Sequence, residues 1–192
     1  MSMSITVNEE SLNNNKTVSN EKILVVVDMQ NDFIYGSLGN KETQNIVKPI
    51  VELINNFDGN ILFTQDTHFD NYLLTQEGKN LPVVHCIRNT KGWEIIPEIN
   101  IVDKLCFEKY NFGSTKLANW IYEEQKGLYD GLKEIVLCGV CTGICVIANA
   151  ILLKTVLPEI KITVLKDYCA CVTPESHKNA LEVMKLLQIN VE

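Results

Sequence analysis

The stretch Ile135-Val136-Leu137-Cys138-Gly139-Val140-Cys141-Thr142-Gly143-Ile144-Cys145 reads as an apolar strand that breaks at a glycine-bracketed turn and runs straight into an apolar helix. Its strand half shows no alternation of apolar and polar side chains, the pattern of a strand covered on both faces. Beyond it, Ile144 to Leu153 is apolar apart from Asn149, and helical spacing continues over about 143–157. Four further apolar runs resemble the first half: Ile23–Val27, Ile61–Thr64, Leu105–Phe107 and Ile160–Leu165. Segments of helical period at about 43–57, 115–126 and 174–188 separate or follow them. Ile46, Ile50, Leu53 and Ile54 give one apolar face to the first, and Ala180, Val183 and Leu187 give one to the last, where Pro174 suits the opening turn. Such alternation predicts an α/β fold: a three-layer, doubly wound sheet of about six mainly parallel strands, with the sixth near Ile189–Val191.

The chain has 192 residues, 46% of them hydrophobic, enough for one continuous core. Residues 1–20, rich in Ser and Asn, are expected to be a flexible tail, leaving 21–192 as one domain. A net charge of −7, a pI near 5.0 and scattered basic residues argue against nucleic acid or an anionic membrane as partner. Neither a membrane-spanning run nor an export signal is evident, so a soluble, cytoplasmic protein is expected. In that setting the seven cysteines are expected to be free thiols. Cys138-x-x-Cys141 lacks a second pair to complete a zinc site, and Cys138 sits in an apolar run.

Ligands in open parallel sheets bind at the carboxyl ends of the strands. Here those ends carry Asp28, then Asp66-Thr67-His68, then Lys109, then Cys141 to Cys145. Each residue has an ordinary reading: Asp28 as a turn cap, Lys109 as a surface charge, Cys145 as core, Asp66 and His68 as a weak metal signal. One shared site explains all of them. A thiol in the opening turn of a helix, beside a lysine, is expected to favour thiolate, and a neighbouring carboxylate can shuttle its proton. Gly139 and Gly143 flank a turn whose free N–H groups suit an oxyanion. Together these residues form the apparatus for acyl transfer from an amide or ester.

The sequence resembles the isochorismatase-like cysteine hydrolases, and within them the nicotinamidase and pyrazinamidase branch. The resemblance rests on Val27-Asp28-Met29-Gln30-Asn31-Asp32-Phe33, Thr64 to His68, Leu81 to Cys86, Lys109 with Phe112-Gly113-Ser114, Gly139 to Val146, and Asp167 to His177, in family order. It implies a Rossmann-like topology, a triad of Asp28, Lys109 and Cys145, and a cis peptide at Val140–Cys141 with the N–H groups of Cys141 and Cys145 as the oxyanion hole. It further implies a divalent metal, zinc with iron or manganese as alternatives, on Asp66, His68 and His85. Some members add a loop glutamate, and Glu77 stands at that place, an ordinary loop acid being the equal alternative. Phe33 and Val140 are expected to contact substrate, His177 to be structural, and Asp167 to cap its turn. Homodimers or homotetramers are common among such proteins. Thr67, Leu81 and Gly143 replace the aromatic and acidic residues many nicotinamidases carry. The implied reaction is hydrolysis of nicotinamide to nicotinic acid and ammonia through a Cys145 thioester. The alternatives are another small amide or N-carbamoyl substrate, or a non-enzymatic binding role.

Overall fold

A computed structural model of the chain describes residues 19–192, so all of the expected tail except Ser19 and Asn20 lies outside the described residues. Six strands form one sheet in the order β3-β2-β1-β4-β5-β6. They are β1 (Lys22–Val27), β2 (Asn60–Asp66), β3 (Leu105–Lys109), β4 (Glu134–Val140), β5 (Lys161–Ala170) and β6 (Asn190–Val191). Every neighbouring pair is parallel. The helices are α1 (Asn31–Ile34), α2 (Lys41–Asn45), α3 (Val47–Asn56), α4 (Gln76–Asn80), α5 (Thr115–Glu124), α6 (Ile147–Val156) and α7 (Pro174–Leu186).

The continuous apolar character of β1 follows from its central place. Ile23, Val25 and Val27 pack into one layer with residues of α5, α6 and α7, while Leu24 and Val26 pack into the other with Ile34, Val47 and Ile50. All five are fully buried, each contributing roughly 1.5–3 kcal/mol of hydrophobic stabilisation. The chain runs from β1 outward to β2 and β3, then crosses back to β4. The carboxyl ends of β1 and β4 thus bound the crevice where such sheets hold ligands. Gly139 makes the close contact between these strands possible. Its φ is +114°, and a Cβ there would run into the Val27 carbonyl.

Three features depart from the sequence reading. The helix expected over 43–57 is split at Ile46 into α2 and α3, with Asn40 capping the first part through a bond from Thr43 N. The helix expected from 143 begins as a π-helical turn, Thr142–Val146, before α6. Asp167 does not cap a turn: it is exposed within β5, which bulges between Val164 and Cys169 while β4 passes only from Leu137 to Gly139. The bulge lets the charged pair Lys166-Asp167 leave the core without ending the strand. None of the helices among the described residues is long and apolar enough to cross a membrane, and all seven cysteines are free.

Candidate active site

Parallel register lines up the polar residues at the strand ends. Val27 pairs with Thr64 on one side and Gly139 on the other, and Asp66 pairs with Lys109. One residue past β1, Asp28 turns out of the sheet with φ +48°, a left-handed conformation that Asp tolerates and that recurs at functional sites. Its Oδ1 accepts a bond from the Thr64 hydroxyl at 2.7 Å. Its Oδ2 lies 2.7 Å from Lys109 Nζ, a short ion pair off the hydrogen-bond direction.

Lys109 is the hub of the cluster. Its Nζ donates to Asp66 Oδ1 at 3.0 Å, to the Asn111 carbonyl at 3.1 Å and to Cys145 Sγ at 3.5 Å. Asp28, Lys109 and Cys145 are thus brought together as the sequence suggests. Burial opposes the ammonium, but the Asp28 and Asp66 carboxylates outweigh it and hold Lys109 well above its ordinary pKa. Burial also pushes Asp28 upward, and here Lys109 only partly offsets it. Burial and the Asp28 carboxylate hold the Cys145 thiol well above its usual range, and Lys109 pulls against them without prevailing.

The turn that carries Cys145 is held from both sides. Asn149 donates to the Cys145 carbonyl at 2.8 Å and accepts from Ser114 N at 2.9 Å, tying α6 to the loop after Lys109. His177 Nδ1 bonds the Thr142 hydroxyl at 2.8 Å, tying the start of α7 to the same turn and fitting its structural reading. The Val140–Cys141 peptide is cis, at the bond the resemblance indicates. The Cys141 carbonyl accepts from Ile144 N and Val146 N, passing over Cys145. Sequence reasoning missed Thr64, Asn149 and Gln30. The buried Gln30 side chain holds the Asp66 backbone, its Oε1 accepting from Asp66 N at 2.7 Å and its Nε2 donating to the Asp66 carbonyl at 2.8 Å. The available signal for Asn149 was a lone polar residue on an apolar helix.

Beside Asp28, Lys109 and Cys145, ligand atoms of Asp66, His68 and His85 lie within 4.8 Å of one another. Asp66 Oδ2 is 2.9 Å from His68 Nε2 and 3.7 Å from His85 Nε2. Glu77, reaching in from α4, places Oε1 3.6 Å from the first imidazole and 3.9 Å from the second. His85 Nδ1 bonds the Val83 carbonyl at 2.8 Å, which turns Nε2 toward the cluster in the manner of an oriented metal ligand. His68 Nε2 is a buried nitrogen with no hydrogen-bond partner among the described residues. Burial pulls the His68 pKa down, but the Asp66 carboxylate beside it prevails and raises it. Two imidazoles, two carboxylates and an orphaned nitrogen fit a divalent cation of the zinc, iron or manganese kind.

A cavity of about 260 Å3 joins the two clusters. Phe33, Leu81, Phe112 and Ile144 form apolar walls, with Cys145 at one end and Asp66, Glu77 and His85 at another. Phe33 stands where a substrate contact was expected. The Val140 side chain does not: it is fully buried in the core at the end of β4, because the strand's alternation directs it into the layer beside Met29 and Phe33. Thr67 faces away from the cavity wall, its hydroxyl accepting from Trp93 Nε1 at 2.8 Å.

A family model described as the isochorismatase domain matches residues 22–191. The chain is 29% identical to the nicotinamidase of Saccharomyces cerevisiae, over 88% of its own length and 98% of that protein's. Its fold matches the pyrazinamidase of Pyrococcus horikoshii in complex with zinc, at 30% identity and a TM-score of 0.75, covering 90% of this chain and 98% of that one. It also matches a nicotinamidase from Bacillus subtilis at 25% identity and a TM-score of 0.74, covering 89% and 98% respectively. With the family model spanning nearly all of the described sheet and helices, the chain belongs to the isochorismatase family.

Proposed function

We propose that the chain is a cysteine amidohydrolase of the nicotinamidase type, converting nicotinamide to nicotinic acid and ammonia. The observation that carries this reading is the placement of Lys109 Nζ, 2.7 Å from Asp28 and 3.5 Å from Cys145, with Cys145 itself lining a small, largely apolar cavity.

Asp28 accepts the Cys145 proton as the sulfur attacks the amide carbon, and Lys109 stabilises the negative charge that develops on sulfur. The N–H groups of Cys141 and Cys145 receive the oxyanion. Asp28 then returns its proton to the leaving ammonia, and a water molecule activated by the same carboxylate hydrolyses the thioester. Burial pushes both the Asp28 carboxyl and the Cys145 thiol upward, which strengthens Asp28 as the base for the thiol proton. A divalent ion held by Asp66, His68 and His85, with Glu77 as a further ligand, would supply a Lewis acid suited to an aromatic ring nitrogen. Phe33 and Phe112 offer the ring its apolar contacts.

Replacing Cys145 by Ala tests the proposal. Ammonia release from nicotinamide is expected to vanish while the fold, read by circular dichroism, is retained; full activity in that variant would end it. A second reading keeps the chemistry and changes the substrate to another small amide or an N-carbamoyl compound. The aliphatic wall at Leu81 favours weighing it, and ammonia release from a panel of amides separates the two. The seven free thiols suit a reducing, cytoplasmic compartment. The exposed Leu186 on α7 is compatible with homodimers or homotetramers, which light scattering would report.

A further inference from the structure

Strand register does not fix the spacing between Lys109 and Cys145. Lys109 ends β3, the turn carrying Cys145 follows β4, and β2 and β1 lie between those two strands. The Nζ–Sγ distance is already 3.5 Å, so a small separation of the two elements would lose the contact. Asn149 spans this gap. It is the one polar residue in the apolar run from Ile144 to Leu153, and at 1% exposure its amide carries a desolvation cost unless it is bonded. Nδ2 donates to the Cys145 carbonyl at 2.8 Å and to the Phe112 carbonyl at 3.4 Å, while Oδ1 accepts from Ser114 N at 2.9 Å.

We propose that Asn149 is a positioning residue for amide hydrolysis, a clamp that holds the loop after Lys109 against the turn carrying Cys145 and so sets the distance from ammonium to sulfur. This role rests on the amidohydrolase reading, in which those two groups act together on the chemical step.

The two ends of the clamp are what distinguish it from an ordinary tie between helices. One end is the carbonyl of Cys145 itself. The other is the loop of residues 110–114, which runs from Lys109 to the Ser114 cap of α5. Within that loop the Asn111 carbonyl accepts from Lys109 Nζ at 3.1 Å, so the loop's place governs where the ammonium rests. Gly113 lets the loop lie close on α6, since a Cβ there would stand 2.6 Å from Leu152 Cδ1. A primary amide suits the task because it offers a donor and an acceptor in one rigid plane. The bond to Phe112, a cavity wall, is long and weak, so the clamp acts on the reacting groups more than on substrate contact.

The test compares wild type with Asn149→Leu, which removes both arms, and with the isosteric Asn149→Asp, which still accepts from Ser114 N but turns an oxygen in place of the donor toward the Cys145 carbonyl. In both variants kcat for ammonia release from nicotinamide should fall, by about 100-fold for Leu, the scale of a small misplacement of reacting groups. KM should change little, since ground-state binding is spared. Alkylation of Cys145 by iodoacetamide at fixed pH, read by peptide mass spectrometry, should slow by about tenfold as the sulfur loses the ammonium beside it. In the wild type the Ser114 amide, although in a loop, should exchange with deuterium as slowly as the amides of α6. Variants that melt earlier yet keep wild-type kcat per folded molecule and wild-type alkylation of Cys145 would reduce Asn149 to a structural tie and overturn the proposal. Rapid exchange at Ser114 in the wild type would overturn it too, and that measurement suffices where a variant does not fold. Alkylation and exchange need no substrate, so they decide the clamp even if nicotinamide proves not to be turned over.

Discussion

The two ends of the sheet each hold a carboxylate between strands and a lysine to match it, and the two carboxylates respond in opposite directions. At the carboxyl ends, Asp28 is fully buried against Lys109, and burial raises its pKa. At the amino ends, Glu134 meets Lys161 at 2.9 Å, Lys22 at 3.2 Å and the Thr163 hydroxyl at 2.7 Å. Burial opposes ionisation there as well, but the Thr163 hydrogen bond and the two lysines prevail and lower Glu134 to about 2. Composition hardly distinguishes the clusters. Solvent does: the Lys161 side chain is 43% exposed, whereas that of Lys109 is 1% exposed. A carboxylate in the first setting is held closer to its protonated form, and one in the second is an anion that pins strands together.

The comparison breaks most readily at the buried end. Cys145→Ala should lower turnover on the order of 10⁵-fold, measured as ammonia release; a small loss would remove the buried cluster's special status. Next, Lys109→Met leaves Asp28 and Asp66 facing each other without their cation. It should destabilise the fold by about 3–5 kcal/mol in urea unfolding as well as abolish activity. The pH profile of kcat/KM sharpens the contrast. Asp28 must be ionised to accept a proton, and its pKa is raised, so the acid limb should lie above the ordinary carboxylate value of 3.8. A limb at that ordinary value would contradict the burial account. The smallest effect belongs to the exposed end. The stability that Glu134 confers is fully present above its ordinary value of 4.5 and is lost as pH falls toward about 2. Glu134→Gln should therefore cost only about 1 kcal/mol at neutral pH, since solvent screens the cluster, and the deficit should shrink across that acid window.

Strands β1 to β4 were legible because buried parallel strands leave uninterrupted apolar runs, and the rule that ligands gather at strand ends located Asp28, Asp66, Lys109 and Cys145 from those runs alone. β5 was read short, since Lys166 and Asp167 interrupt its pattern and only a bulge, invisible to periodicity, carries the strand past them. The region from Phe69 to Asn100 stayed opaque for a different reason. Part of its order comes from side chains bonding distant backbone, such as Asp32 to Cys86 N at 2.8 Å and Gln30 to the Trp93 carbonyl at 2.8 Å, and no local spacing encodes such ties. The sequence resemblance placed His85 and Glu77 within that region, where periodicity had nothing to offer. The upward push of burial on the Cys145 thiol was not legible, because dipole and lysine are visible in a sequence, whereas the degree of desolvation is not.

Asp66 divides its two oxygens between neighbours of different kinds, Oδ1 toward Lys109 at 3.0 Å and Oδ2 toward His68 at 2.9 Å. Mutagenesis at that position therefore strikes two functions with one blow, and an inactive Asp66→Asn protein would look the same whether cation capture or nucleophile activation had failed. His85 is the cleaner lever, because its second nitrogen is occupied by Val83 and it stands apart from the lysine's direct contacts. An alanine there should lower the affinity of the site for a divalent ion while leaving the Asp28–Lys109–Cys145 contacts intact, which separates the two effects.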